Sequence, residues 1–304
     1  MKGTFSVARY TLIELTRRRI LLVFFIIGFL GIAAIGIGLR VFSSAFSTGI
    51  IFGPPGTVQD PAKVNRFLEL MYIQNLIGAL GFFALLIAFA IGMTAIYHDL
   101  DSGAAVAIFS KPVSRLAFTT GKVAAAVVAM IAIVGVLSIE ATLVGLLFGG
   151  GLEQTLTVET VAQLANALTL MLLVLALSTW MNNIVAAVVA FIYNAVSGVV
   201  ILLHNQMAAG FLGDNGVLKV GLNVLYWLVP HQLVSDAQRQ LARAEFDLFS
   251  SVNQGGPDGS SGPTLDQALA GVPGPSGAAD IIWWVFVIAL FASLVYLAVR
   301  RRQV

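Results

Sequence analysis

Hydrophobic and polar positions divide this chain into long apolar runs separated by short polar breaks. Six runs are of membrane-spanning length: Ile20–Leu39, Leu76–Tyr97, Val123–Gly150, Gln163–Met181, Ile184–Leu203 and Ile281–Val299. A helix crossing a hydrocarbon core of ~30 Å needs about 20 apolar residues. Five runs carry no charge, and the third carries one, Glu140. In lipid only helices and closed barrels satisfy their backbone groups. A barrel would alternate apolar and polar residues over segments of about ten, and these uninterrupted runs do not. The pattern therefore predicts an all-α integral membrane protein with six transmembrane helices. Asp60-Pro61 marks one helix start, an N-cap acceptor followed by proline at the first helical position. The fourth and fifth runs are joined only by Asn182-Asn183, which predicts a tight antiparallel hairpin.

The remaining segments refine this picture. Phe5, Ala8, Leu12 and Leu15 recur at helical spacing, with Arg9, Arg17 and Arg18 largely off that stripe. This predicts an amphipathic interfacial helix over residues 1–19. Ile20–Leu39 exceeds the 7–15 residues of a signal-peptide core, so it reads as an uncleaved first helix despite the basic Thr16-Arg17-Arg18-Arg19 before it. Val217–Val229 is apolar, too short to span and followed by Pro230, the pattern of a short re-entrant segment before the last helix. Ser235, with Gln238 three residues on, marks the start of a polar helix. Residues 251–278 are rich in Gly, Pro and Ser and read as a flexible extracytoplasmic linker. There is no internal repeat. The expectation is a single transmembrane domain over 1–304.

Charge sets the orientation. With the N-terminus inside, the inner segments hold 11 of the 17 basic residues and three acids, Glu14, Asp99 and Asp101. The outer loops hold six basic residues and 11 acids. Lys and Arg concentrate on the cytoplasmic side of membrane proteins, so both termini are expected in the cytoplasm and the chain in the cell membrane. Composition agrees. The chain is 58% hydrophobic and 11% charged, against about 25% charged in soluble domains. The absence of cysteine excludes disulfides and thiolate chemistry.

Several functions are disfavoured by missing chemistry. The only Gly-Lys, Gly121-Lys122, has Leu116 where a P-loop needs its first glycine and Val123 where it needs Ser or Thr. The chain is thus not expected to bind ATP by that motif. His98, His204 and His231 have no partner at metal-ligand spacing and read as wet interfacial side chains. No paired acids or Ser/His pair occur inside the spans, so no catalytic residue and no metal site are expected. Glu140 is the exception. An ionisable group within a span is costly and is a functional candidate. The alternative is a structural hydrogen bond to Ser138, Asn166 or Asn194. Gly145-x-x-x-Gly149 near the same helix end fits close helix packing.

The inner loop after the second span runs from Tyr97 to Lys122: an acidic start, a small apolar helix, a break at Pro112, and a new helix capped by Ser114. In order it carries Asp99, Asp101, Gly103, Lys111, Pro112, Val113, Ser114, Arg115, Gly121 and Lys122. This loop resembles the cytoplasmic loop of type-two ATP-binding-cassette exporter permeases. So does the N-terminal Ala8-Arg9-Tyr10-Thr11 through Glu14 to Arg17-Arg18-Arg19. The similarity is nearest to the branch that includes permeases serving copper-enzyme maturation. It implies a permease subunit, not itself an enzyme, that forms the translocation path. Two copies, identical or different, would bind two copies of a separate ATPase subunit holding ATP and magnesium. Loop 98–122 would couple to that ATPase through Asp99, Asp101, Gly103, Lys111, Pro112, Arg115 and Lys122. The resemblance does not extend to residues 251–278, and it implies no substrate. Two other readings are open on the residues alone: a non-transport membrane anchor or assembly scaffold, and a secondary carrier working through Glu140. The latter class favours inverted repeats and several intramembrane charges.

Overall fold

The computed structural model describes residues 2–46, 61–97, 99, 113–146, 153–208, 210, 216–229, 231–253, 264–270 and 272–301. Among them every regular element is helical: α1 (Lys2–Arg17), α2 (Arg19–Phe46), α3 (Pro61–Thr94), α4 (Arg115–Leu146), α5 (Glu153–Trp180), α6 (Asn183–Ala208), α7 (Gly216–Leu228), α8 (Ala237–Asn253), α9 (Leu265–Ala270) and α10 (Ala278–Arg301). Six of these, α2 to α6 and α10, are long and apolar enough to cross a membrane. They coincide with the six apolar runs of the sequence. The chain therefore has the build of a multi-pass membrane protein.

The helices start where local chemistry allows. Pro61 opens α3, because its missing N–H would have no partner there anyway. Ser114 caps α4, its Oγ accepting from the amide of Ala117 at 3.1 Å. Asn182 caps α6, its Oδ1 accepting from Ile184 N at 2.9 Å. Asn183 Nδ2 then donates to the carbonyl of Met93 at 2.7 Å, tying the α5–α6 hairpin to the end of α3.

Helices α3 and α5 form the centre, and their apolar windows are 56% and 50% buried against 22% for α2, α6 and α10. Ile87 and Ile91 of α3 and Met171 and Val174 of α5 are fully enclosed. Gly92 permits this approach: a Cβ there would stand 2.8 Å from both the Met171 carbonyl oxygen and Val174 Cβ. The peripheral helices turn Ile, Val and Phe outward. Ile184, Val188, Phe191, Ile192 and Val199 of α6 are all exposed, as a lipid-facing surface requires.

The two ends of the bundle differ. At the basic end α1 lies against the start of α4, and Arg115 Nη1 donates to the Arg300 carbonyl at 2.6 Å. Arg301 sits over the Trp180 ring there, 5.5 Å from its centroid. At the far end are α7, α8, α9 and the starts of α5 and α10. Helix α7 has 13 residues, about 20 Å of rise, too short to span. The non-helical stretch 231–235 follows it. Its backbone is satisfied by side chains: Asn166 Nδ2 donates to Leu233 O (2.9 Å) and Asn166 Oδ1 accepts from Leu233 N (2.7 Å). Val234 exchanges two 2.9 Å bonds with Ser276. Within the expected 251–278 linker, Leu265–Ala270 is helical, and the rest of its described part includes this Ser276 contact.

Candidate functional site

The first candidate site gathers at the basic end. Lys122 lies on the second turn of α4 and is fully buried. A lysine is almost never so placed unless it is paired. Its Nζ stands 2.5 Å from Asp99 Oδ2 and 3.2 Å from Glu14 Oε2. Glu14 also pairs with Arg18 one turn on. The rings of Tyr10 and Phe118 both lie 5.9 Å from the ammonium, within cation–π range. Three chain segments therefore meet at one cation: α1, the turn after α3, and α4. Burial alone would raise the Glu14 carboxyl, but Lys122 and Arg18 outweigh it and hold it below its ordinary 4.5.

The Gly121-Lys122 pair now has a physical meaning. A Cβ on Gly121 would meet Thr4 O at 2.8 Å and Val7 Cβ at 2.9 Å. Glycine here brings α1 onto α4, and the neighbouring lysine bonds to it. This seating also selects the buried face of α1, which is Val7, Thr11 and Leu15. The expected stripe divides between this packed face and the surface. Leu15 is buried, but Phe5 is 73% exposed. Close backbone approach at Gly121 and the reach of Glu14 to Lys122 set the rotation of the helix, overriding the largest apolar side chain.

Of the residues singled out in the loop, Asp99 and Lys122 are brought together, and both are buried. They fasten the loop to the bundle and offer nothing to a partner's surface directly. Arg115 stands apart, bound to the end of α10. Asp101, Gly103, Lys111 and Pro112 lie outside the described residues. The exposed surface beside the cluster is on α1: Phe5, Arg9, Tyr10, Ile13 and Arg17.

Glu140 is a separate feature, about 27 Å along α4 from Lys122 at 1.5 Å per residue. It is 9% exposed, and its Oε2 receives no hydrogen bond among the described residues. None of the three expected partners bonds it. Ser138 bonds Thr160, Asn166 bonds Leu233, and Asn194 accepts from Gln232. Its electrostatic neighbour is Tyr72 of α3. Tyr72 also faces α2 at Gly36, where a Cβ would stand 3.3 Å from the Tyr72 hydroxyl and collide with Val144.

The far end holds two polar clusters, and the sequence named His204, His231 and Ser235 without bringing them together. His231 Nε2 and Tyr226 Oη each lie 3.1 Å from Asp280 Oδ1. Tyr226 is sandwiched between the rings of His231 and His204, with centroids at 4.0 and 4.3 Å. Burial, followed by the Asp280 charge and its hydrogen bond, raises the Tyr226 phenol well above its ordinary range. His231 is 5% exposed, so the expectation of a wet imidazole is wrong for it: the Tyr226 carbonyl and Asp280 Oδ1 lie 3.0 and 3.1 Å from its two ring nitrogens. Among the described residues no group of three His, Asp or Glu side chains is placed to hold a metal. The second cluster is Glu159 and Gln163, on the wall of a cavity between α3, α5, α6 and the 231–238 segment, with Ser235 bonded to Glu159 behind it. The available signal was the density of amides and acids just before the fourth apolar run. No protein-family model matches the chain, and no curated protein gives a significant match.

Proposed function

We propose that this chain is the permease subunit of a type-two ATP-binding-cassette transporter, working in export. It sits in the cell membrane with both termini in the cytoplasm, and α7 enters the membrane from outside as a re-entrant helix. Two copies form the translocation path, and each engages a separate ATPase subunit that holds ATP and magnesium. The observation that carries this reading is the Lys122 cluster. The segments bearing the permease-like residues, far apart in sequence, are fastened to one another by a buried ammonium and two carboxylates. A subunit driven from outside needs such a unit. Contacts made by a partner must differ between two states of the bundle, or nothing shifts. A load applied to α1 or to the 98–122 loop reaches α3 and α4 together.

The roles within the loop follow. Asp99, Gly121 and Lys122 are positioning residues, Arg115 anchors α4 to α10, and contact with the ATPase falls to Asp101, Lys111 and the exposed face of α1. The test is affinity purification of the tagged full chain in mild detergent, with identification of co-purifying proteins. A cytosolic P-loop ATPase is expected, and reversing charge at Arg9 and Arg17 or at Asp101 and Lys111 lowers its recovery several-fold while membrane insertion persists. A clean homo-oligomer without an ATPase overturns the reading and moves the protein to the scaffold class.

A further inference from the structure

The cavity at the far end encloses about 310 Å³, the size of a site for a small organic molecule. Its polar side is built around Glu159, which is 8% exposed. Ser235 Oγ donates to Glu159 Oε2 at 2.5 Å, and its own oxygen accepts from Ala237 N at 3.1 Å, which fixes the direction of the hydroxyl. Gln163 Nε2 donates to the Ile77 carbonyl at 3.0 Å and lies 3.4 Å from Glu159 Oε1. Both neighbours of the amide nitrogen are acceptors, so the other amide atom is the oxygen, and Gln163 Oε1 is buried with no hydrogen bond among the described residues. The carboxylate forms no ion pair among the described residues. Arg239, on the adjoining helix, packs against Gly274 instead. A buried carboxylate normally has a cation or a metal for a partner. Here Glu159 and Gln163 line a cavity, and among the described residues no cation pairs with the carboxylate.

We propose that this cavity binds a compact organic ammonium ion, a protonated primary or secondary amine on a small apolar body. The ammonium supplies the missing positive charge and an N–H donor for Glu159. Leu85, Ala167, Ile201 and Pro273 supply the apolar wall. A bare metal ion fits less well. Asn166 Oδ1 already accepts from Leu233 N and Glu159 Oε2 from Ser235 Oγ, which leaves few oxygens free to surround a hard cation. The site stands independently of the ATPase reading, because it lies at the opposite end of α5 from the Lys122 cluster.

Isothermal titration of the detergent-purified full chain with benzylammonium chloride, and with benzyl alcohol as the neutral isostere, tests this. Benzylammonium is expected to bind saturably at one site per chain, at least tenfold tighter than benzyl alcohol. Glu159→Gln, with an unchanged melting temperature, is expected to erase that preference. The wild-type comparison decides alone if the variant does not fold. Equal binding of both compounds, no saturable binding, or a preference retained in folded Glu159→Gln overturns the proposal.

Discussion

A single lysine shows how much one side chain can organise. Lys122 at full burial would be destabilising without partners, and removing one partner of a buried pair commonly costs about 3–5 kcal/mol. Glu14 is the more accessible of its two carboxylates, with a side chain 20% exposed, and this makes the cluster sensitive to acid. Its carboxyl is held below the ordinary 4.5 when folded. The stabilisation is therefore fully present above the unfolded value and is lost as pH falls through the lower folded one. The melting temperature of the purified protein should fall more steeply between about pH 5 and pH 3 in wild type than in Glu14→Gln. Parallel curves would show that Glu14 carries no such load. None of this pairing is legible in sequence, because Glu14 and Lys122 are 108 positions apart. The one visible sign is Glu14 itself, an acid standing alone among basic residues.

At the scale of elements, sequence and structure agree where the signal is continuous and part where it is periodic. The six spans are legible because an apolar run of that length has no other use. Their full lengths need a second signal, which the Asp60-Pro61 start supplies for α3. The second run begins at Leu76, whereas α3 begins at Pro61 and carries 34 residues, about 51 Å of rise. Its polar first turns, with Arg66 bonded to Glu69 at 2.7 Å, rise beyond the apolar core, and hydropathy alone does not see them. The amphipathic face of α1 is harder still. A stripe of four residues allows several rotations, and close approach at Gly121 decides among them. Gly121→Ala should push α1 off α4 at a cost of about 1–3 kcal/mol, read as faster tryptic cleavage after Arg9 and Arg17. Gly135→Ala, on the same helix with open space at its Cβ, should leave the cleavage rate unchanged. Equal rates in both variants would remove the steric argument.

The whole molecule is a bundle with two chemically different ends, and the chain is well suited to locating them. It contains no cysteine, so a single introduced thiol reports one position. Arg9→Cys on α1 should resist a membrane-impermeant maleimide in intact cells and react after permeabilisation, whereas Asp266→Cys on α9 should react in both. The opposite pattern would invert the assigned orientation. The far end was the least legible region. Its cavity joins residues from four or more segments and its His231–Asp280 contact joins residues 49 positions apart, and the charge bias of the loops says nothing of such contacts. A last consequence concerns α4, one unbroken helix from Arg115 to Leu146. Lys122 grips it near one end and Glu140 sits toward the other, so the helix is a lever with its handle at α1. A tilt of about 5° about Lys122 would carry Glu140 through about 2 Å, given the ~27 Å between them. A displacement of that size would shift Glu140 against Tyr72 of α3 without breaking any backbone hydrogen bond in the shaft.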